Sequence, residues 1–159
     1  MNVLIVSFSK FGHTRKIAVE IAKTLQEQTS VREIAADQLR AADFSGLDLL
    51  IFGTPTHRMN LPEAMRPILD DLPRRCLRGI KFAAFDTSYK MSPWLEPFTA
   101  SKRLSAKLRK LGGKRLAPPE TFHVVEREGP LYDGELERAR EWARSLTQHT
   151  QPNQFSAYQ

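Results

Sequence analysis

The chain has 159 residues, with 24 Lys and Arg against 18 Asp and Glu, a net charge of +6 and a sequence pI near 9.7. That length suits one domain with a real core and is short for two, and no apolar run approaches the roughly 20 residues of a membrane-spanning helix. The single cysteine, Cys76, excludes an internal disulfide, and the basic excess admits an acidic protein, a nucleic acid or a membrane surface as partner without choosing among them.

The chain opens on Val3-Leu4-Ile5-Val6, a short run rich in β-branched residues that Ser7-Phe8-Ser9 continues. No basic segment precedes it, so it reads as a strand and not a signal peptide, with the cytoplasm as the expected location. Lys10-Phe11-Gly12-His13-Thr14 breaks the pattern, and Ile17, Ala18, Ile21, Ala22 and Leu25 then recur at helical spacing, predicting a helix over His13–Gln28. Strand, small polar loop and helix in that order present the free N–H groups of a helix N-terminus to an anion. Ser30–Ala35 reads as a second strand, Ala36–Ser45 as weakly helical, and Leu47–Phe52 as an apolar strand between Gly46 and Gly53. Thr54–Leu61 is a loop. Pro62–Leu72 carries a helical apolar face, with Pro67 expected to bend or split it.

Gly79–Phe85 is the next core strand and Asp86–Pro97 a long loop. Phe98–Leu111 reads as a helix stopped by Gly112-Gly113. Arg115–Ala117 and Thr121–Val125 form a last strand broken at Pro118-Pro119. After the charged stretch Glu126–Gly134 comes a final helix, Glu135–Leu146. Residues 148–159 are polar and aperiodic and are expected to be disordered, leaving 1–147 as one domain.

Apolar strands alternating with helices imply an α/β fold with a parallel sheet covered on both faces. Ligands in such folds sit beyond the carboxyl ends of the strands. Those ends carry the loops Ser9–Thr14, Thr54–Met59 and Asp86–Trp94. Several chemistries do not fit them. Gly12-His13-Thr14 lacks the lysine of a nucleotide P-loop, and a single glycine does not make a dinucleotide fingerprint. The ends of the first and third strands carry no carboxylates for a phospho-acceptor, and the first loop has no nucleophilic cysteine. His13, His57, His123 and His149 show no metal-ligand spacing. A loop of hydroxyls and N–H groups suits a phosphate monoester. Cys76 stands among Arg74, Arg75 and Arg78, which would lower the pKa of an exposed thiol; its structural reading is a half-buried residue after a helix.

Three stretches carry a family resemblance: V-L-I-V-S-F-S-K-F-G-H-T-R-K-I-A, F-G-T-P-T-H and E-G-P-L-Y-D-G-E-L-E-R-A-R-E-W-A. From Asn2 to Leu146 the chain resembles the flavodoxins. The resemblance implies a flavodoxin-like three-layer sandwich with a five-stranded parallel sheet of order 2-1-3-4-5, and FMN as cofactor. It implies that Ser9, Gly12 and Thr14, with N–H groups from Lys10, Phe11 and His13, hold the FMN phosphate. Pro55, Thr56, His57, Arg58 and Met59 would lie along one side of the flavin, and Asp86, Thr87, Ser88 and Tyr89 along the other. Tyr89 or Trp94 is the candidate for stacking on the ring, with Tyr89 preferred.

This chain departs from the family where His57 replaces a large aromatic and Arg58 replaces a glycine, so weaker stacking and a costlier peptide turn are expected beside the ring. It departs again in charge. Arg74, Arg75, Arg78 and Lys81 form one basic run, and Lys102, Arg103, Lys107, Arg109, Lys110, Lys114 and Arg115 another. The resemblance therefore implies a redox protein carrying electrons between a reductase and an acceptor protein, monomeric or dimeric, with an acidic partner surface as one use of the basic residues. The alternatives are an FMN-dependent NAD(P)H or quinone oxidoreductase and, in another class, a flavin-free binding module using its basic face. Nucleic acid is disfavoured by the absence of aromatics interleaved with the basic residues.

Overall fold

The computed structural model describes residues 1–150; residues 151–159, most of the expected disordered tail, lie outside the described residues. The apolar runs become β1 (Asn2–Ser7), β2 (Ser30–Ala35), β3 (Leu49–Pro55) and β4 (Lys81–Tyr89). The fifth position of the sheet is shared by β5 (Lys114–Arg115) and β6 (Glu120–Val124), each pairing with β4 on either side of the Pro118-Pro119 break. All pairings are parallel, in the order β2-β1-β3-β4 and then β5 and β6. This is the expected 2-1-3-4-5 order with its last strand in two pieces.

Alternation along the strands sends side chains to both faces of the sheet. Val3 and Ile5 join the helices α1 (His13–Leu25) and α4 (Glu135–Gln148) in one core; Leu4 and Val6 join α2 (Met65–Asp70) and α3 (Ala100–Lys110) in the other. Phe85, Phe122 and Trp142 meet edge to face at 5.9–6.0 Å in the first core. The Phe85 ring lies so close to β3 that a Cβ on Gly53 would stand 2.0 Å from it. Among the described residues no helix is long and apolar enough to cross a membrane.

Element ends differ from the sequence expectation for local reasons. Helix α1 ends at Leu25, where the chain tightens into a turn: the Leu25 carbonyl accepts the Gln28 N–H at 3.1 Å, the Thr29 N–H at 2.9 Å and the Thr29 hydroxyl at 2.8 Å. The expected helix over Pro62–Leu72 is only Met65–Asp70. Pro67 falls within its first turn, where a missing N–H costs no helical bond. Ala36–Ser45 forms two short 3₁₀ turns, Ala36–Gln38 and Ala41–Phe44. β4 runs through Asp86-Thr87-Ser88-Tyr89, expected as loop, because β6 pairs with all four residues.

Asp86 is therefore a buried strand residue, and it decides where α3 begins. Its Oδ2 accepts the Ser101 N–H at 2.7 Å and the Thr56 hydroxyl at 3.1 Å, while the Thr56 oxygen accepts the Ala100 N–H at 3.0 Å. Thr99 stays extended, and Phe98, expected in the helix, belongs to a separate 3₁₀ segment, Pro93–Phe98. Burial pushes the Asp86 carboxyl above its ordinary pKa, although hydrogen bonds from Ser101, Thr121 and Thr56 pull the other way.

A carboxyl whose pKa is raised by folding stabilises the native state most below the unfolded carboxylate range, and that contribution is lost as pH rises through the native value. Asp86→Asn lacks this slope. In thermal unfolding followed by circular dichroism, the Tm of the variant minus that of the parent is expected to be more positive at about pH 8 than at about pH 4. A difference that is flat or falls with pH contradicts the assignment.

Candidate functional site

The carboxyl ends of β1, β3 and β4 bring their three following segments around a cavity of about 760 Å³, a size usual for small-molecule sites. Each segment contributes differently.

The first is the turn into α1. Ser9 Oγ accepts the Gly12 N–H at 3.0 Å and stands 3.4 Å from the Arg15 N–H, so its own proton is free to donate. Gly12 has φ +89, a left-handed conformation that turns the chain into the helix. Among the described residues the N–H groups of Lys10, Phe11, His13 and Thr14 have no protein acceptor. The first turn of α1 holds no acid, and its N-cap residue, Gly12, has no side chain to cap it. The result is an open cradle of N–H donors at the positive end of a helix. Lys10, Phe11, His13 and Thr14 line the cavity; Ser9 and Gly12 shape the turn behind it. Thr14 Oγ1 lies 2.9 Å from Thr87 Oγ1, tying the cradle to β4.

The second is the segment after β3. Pro55, Thr56, His57 and Arg58 line the cavity, and Met59 does not. His57 and Asn60 exchange N–H···O bonds of 2.8 and 2.9 Å, closing a tight turn whose central residues, Arg58 and Met59, have φ +47 and +59. Turns with two left-handed residues favour Asn-Gly; a longer side chain in that conformation costs about 1–2 kcal/mol. Backbone strain is thus held at two successive positions beside the cavity.

The third is the end of β4. Thr87, Ser88 and Tyr89 line the cavity, with Tyr89 46% exposed. Asp86 faces α3 instead and acts through Thr56. Trp94, 72% exposed on the Pro93–Phe98 segment, is outside the cavity lining.

Sequence reasoning missed a fourth wall. Val124 and Arg127, from the end of β6 and the segment after it, line the cavity, as do Phe8, Pro62, Glu63 and Ala64. This segment is latched to α1. The His13 ring approaches the Glu128 carbonyl through Nε2 at 2.7 Å. A carbonyl only accepts, so Nε2 carries a proton, and Nδ1 is buried without a partner. A Cβ on Gly129 would lie 2.2 Å from the His13 ring, so only glycine allows this approach. The sequence signals were the Gly129-Pro130 pair and the basic Arg127 in an otherwise acidic stretch. Arg127 and Lys10 each stand 5.7 Å from the Phe11 ring. With Arg58 they give the cavity three cations against one acid, Glu63.

Cys76 is not activated by its arginine neighbours. Burial pushes its thiol up, and it packs against the α2–α3 core. Among the described residues there is no His, Cys, Asp or Glu cluster able to hold a metal ion.

Met59→Gly removes one strained position without touching the cavity wall. Relief of the left-handed strain, offset by the added freedom of glycine in the unfolded chain, is expected to stabilise the protein by about 0.5–1 kcal/mol. Urea unfolding checks this, and a loss of stability would place the strain elsewhere.

Comparison with known proteins agrees with the geometry. The chain aligns over 95% of its length with all of oxidised flavodoxin 1 from Bacillus cereus, at 20% identity and a TM-score of 0.77. It aligns over 93% of its length with 99% of the flavodoxin of Streptococcus pneumonia TIGR4, at 19% identity and a TM-score of 0.72. It also matches 36% of rubredoxin oxygen:oxidoreductase from Desulfovibrio gigas, at 19% identity and a TM-score of 0.69 over 93% of this chain. No curated protein matches it by sequence. The flavodoxin family model matches residues 5–142, a span that takes in the cradle, the strained turn and the latched fourth wall, and the chain belongs to the flavodoxin family.

Proposed function

We propose that this protein binds FMN, the cofactor of its family, and carries electrons between a reductase and an acceptor protein. The observation that carries this reading is the open N–H cradle from Lys10 to Thr14 at the head of a cavity that β4 and the segment after β3 extend. Free donors at a helix N-terminus, with no acid in its first turn, fit a phosphate dianion. FMN supplies the redox chemistry when bound, and the protein supplies binding, orientation and electrostatics.

Within that reading Ser9 and Thr14 donate hydroxyl protons to the phosphate, and Gly12 keeps the backbone close. Pro55, Thr56, His57 and Arg58 form one side of the flavin site and Thr87, Ser88 and Tyr89 the other. Tyr89, at the cavity and partly exposed, is the stacking candidate over Trp94. Asp86 positions Thr56 from behind the site. Lys10, Arg58 and Arg127 favour the negative charge a flavin gains on reduction, which raises the midpoint potential relative to an acidic surround.

Titration of the protein into FMN is expected to quench flavin fluorescence and shift the visible bands. Ser9→Ala is expected to weaken binding about ten- to hundredfold, since a hydrogen bond to a charged group contributes about 1.5–3 kcal/mol. Free FMN left unchanged at tens of micromolar protein overturns the proposal and leaves the flavin-free binding module. In the same cuvette a carrier does not oxidise NADH catalytically, whereas an FMN-dependent oxidoreductase does.

A further inference from the structure

The basic residues that the sequence presents as two separate runs are joined by the fold. The Leu77 N–H donates to the Leu111 carbonyl at 3.0 Å, and the Lys114 N–H to the Ile80 carbonyl at 2.9 Å. The turn bearing Arg74, Arg75 and Arg78 therefore abuts the C-terminal end of α3. On α3 every exposed residue but Ala106 is a cation: Lys102, Arg103, Lys107, Arg109 and Lys110. Like charges three and four residues apart on a helix destabilise it, and α3 carries that repulsion at Arg103–Lys107 and Lys107–Lys110 with no acid of its own.

One face of this helix lines a groove. Arg103, Ala106, Lys107 and Lys110, at spacings of i, i+3, i+4 and i+7, stand across from Arg66, Leu69 and Asp70 of α2, enclosing about 460 Å³. Lys107 pairs with Asp70 at 3.6 Å, while Arg66, Arg103 and Lys110 have no ion-pair partner among the described residues. Pro62 and Glu63 line both this groove and the larger cavity, so the two share a wall.

We propose that the α2–α3 groove docks an acidic protein surface, that of the redox partner, against the wall it shares with the cofactor cavity. The partner's redox role rests on the FMN-carrier reading; the docking itself does not. Unpaired cations call for carboxylates. Leu61, Pro62 and Leu69 give the groove an apolar lining, as a protein face requires. No aromatic lines it, so it offers no platform for bases. A partner seated there stands beside the cavity in which, on the FMN-carrier reading, the cofactor would accept and pass on electrons.

The test uses a short fluorescein-labelled poly-L-glutamate, followed by anisotropy with the full chain, with and without FMN. It is expected to bind, more weakly as salt rises. Arg103→Gln with Lys110→Gln is expected to weaken binding about tenfold, while Lys23→Gln with Arg144→Gln, an equal charge change on the α1–α4 layer, changes it less than about twofold. All four side chains are exposed. Absence of poly-L-glutamate binding overturns the proposal. So does an equal loss in both double variants, which would reduce the effect to net charge. Tighter binding of an oligothymidylate of matched charge overturns it in favour of a nucleic acid. A shifted FMN spectrum without poly-L-glutamate binding sinks the docking surface alone. Poly-L-glutamate binding with FMN unmoved sinks the carrier reading, and with it the partner's redox role, while the docking stands.

Discussion

A buried carboxylate with no cation beside it holds the three walls of the cavity in register. Asp86 is fully buried, and among the described residues it makes no ion pair. Its compensation comes from the start of α3, where the Ser101 N–H meets it directly and the Ala100 N–H reaches it through Thr56. The positive end of that helix offsets part of the cost of burying charge. The next residue extends the network. The Thr87 carbonyl accepts the Thr56 N–H at 2.9 Å, and its hydroxyl meets Thr14 in the first turn of α1. The end of β4 is thus a hub from which the cradle, the strained turn and α3 are all positioned. A change there also reaches the fourth wall, since β6, which ends in Val124, pairs with the same four residues, Asp86 to Tyr89.

This hub also explains where the sequence was hard to read. The core strands were legible because continuous β-branched and aromatic runs have few other uses. The cradle was legible because Ser9, Gly12 and Thr14 act within one turn of chain. Asp86-Thr87-Ser88-Tyr89 looked like a loop because polar residues rarely continue a buried strand. The groups that satisfy them lie far along the chain: Thr14, Thr56 and Ser101. The fourth wall failed for the same reason, since the contact between His13 and Glu128 spans 115 residues. The start of α2 was placed early because Pro62 suits a first helical turn, whereas the helix begins at Met65 and it is Pro67 that occupies the first turn, where its missing N–H costs no helical bond.

Local rules are broken most where the cavity is. Two successive residues adopt left-handed backbone without glycine, a histidine ring leaves a buried nitrogen unpartnered, and three cations gather around one small volume. Strain and unbalanced charge of this kind persist only where the surrounding structure overdetermines them. Here the overdetermination is visible. The strained turn is closed by a reciprocal pair of backbone bonds, and His13 is trapped between α1 and Gly129.

The distribution of charge between the two helical layers follows a different logic. In the α1–α4 layer the two central cations of α4 are answered. Arg140 pairs with Glu20 and Glu137, and Arg138 pairs with Glu135 and Glu120 while lying 4.7 Å from the Phe122 ring. Burial works against ionisation of Glu135, but Arg138 and the His123 N–H outweigh it and hold the carboxyl below its usual range. In the α2–α3 layer a single pair, Lys107–Asp70, answers a whole basic face. Net charge alone would spread repulsion over the molecule. The fold instead interleaves acids with the cations of α1 and α4 and leaves α3 with cations alone. Exposed ion pairs contribute little to stability, so the asymmetry matters less for holding the protein together than for which face an acidic surface meets first. That face is the one whose groove shares a wall with the cavity.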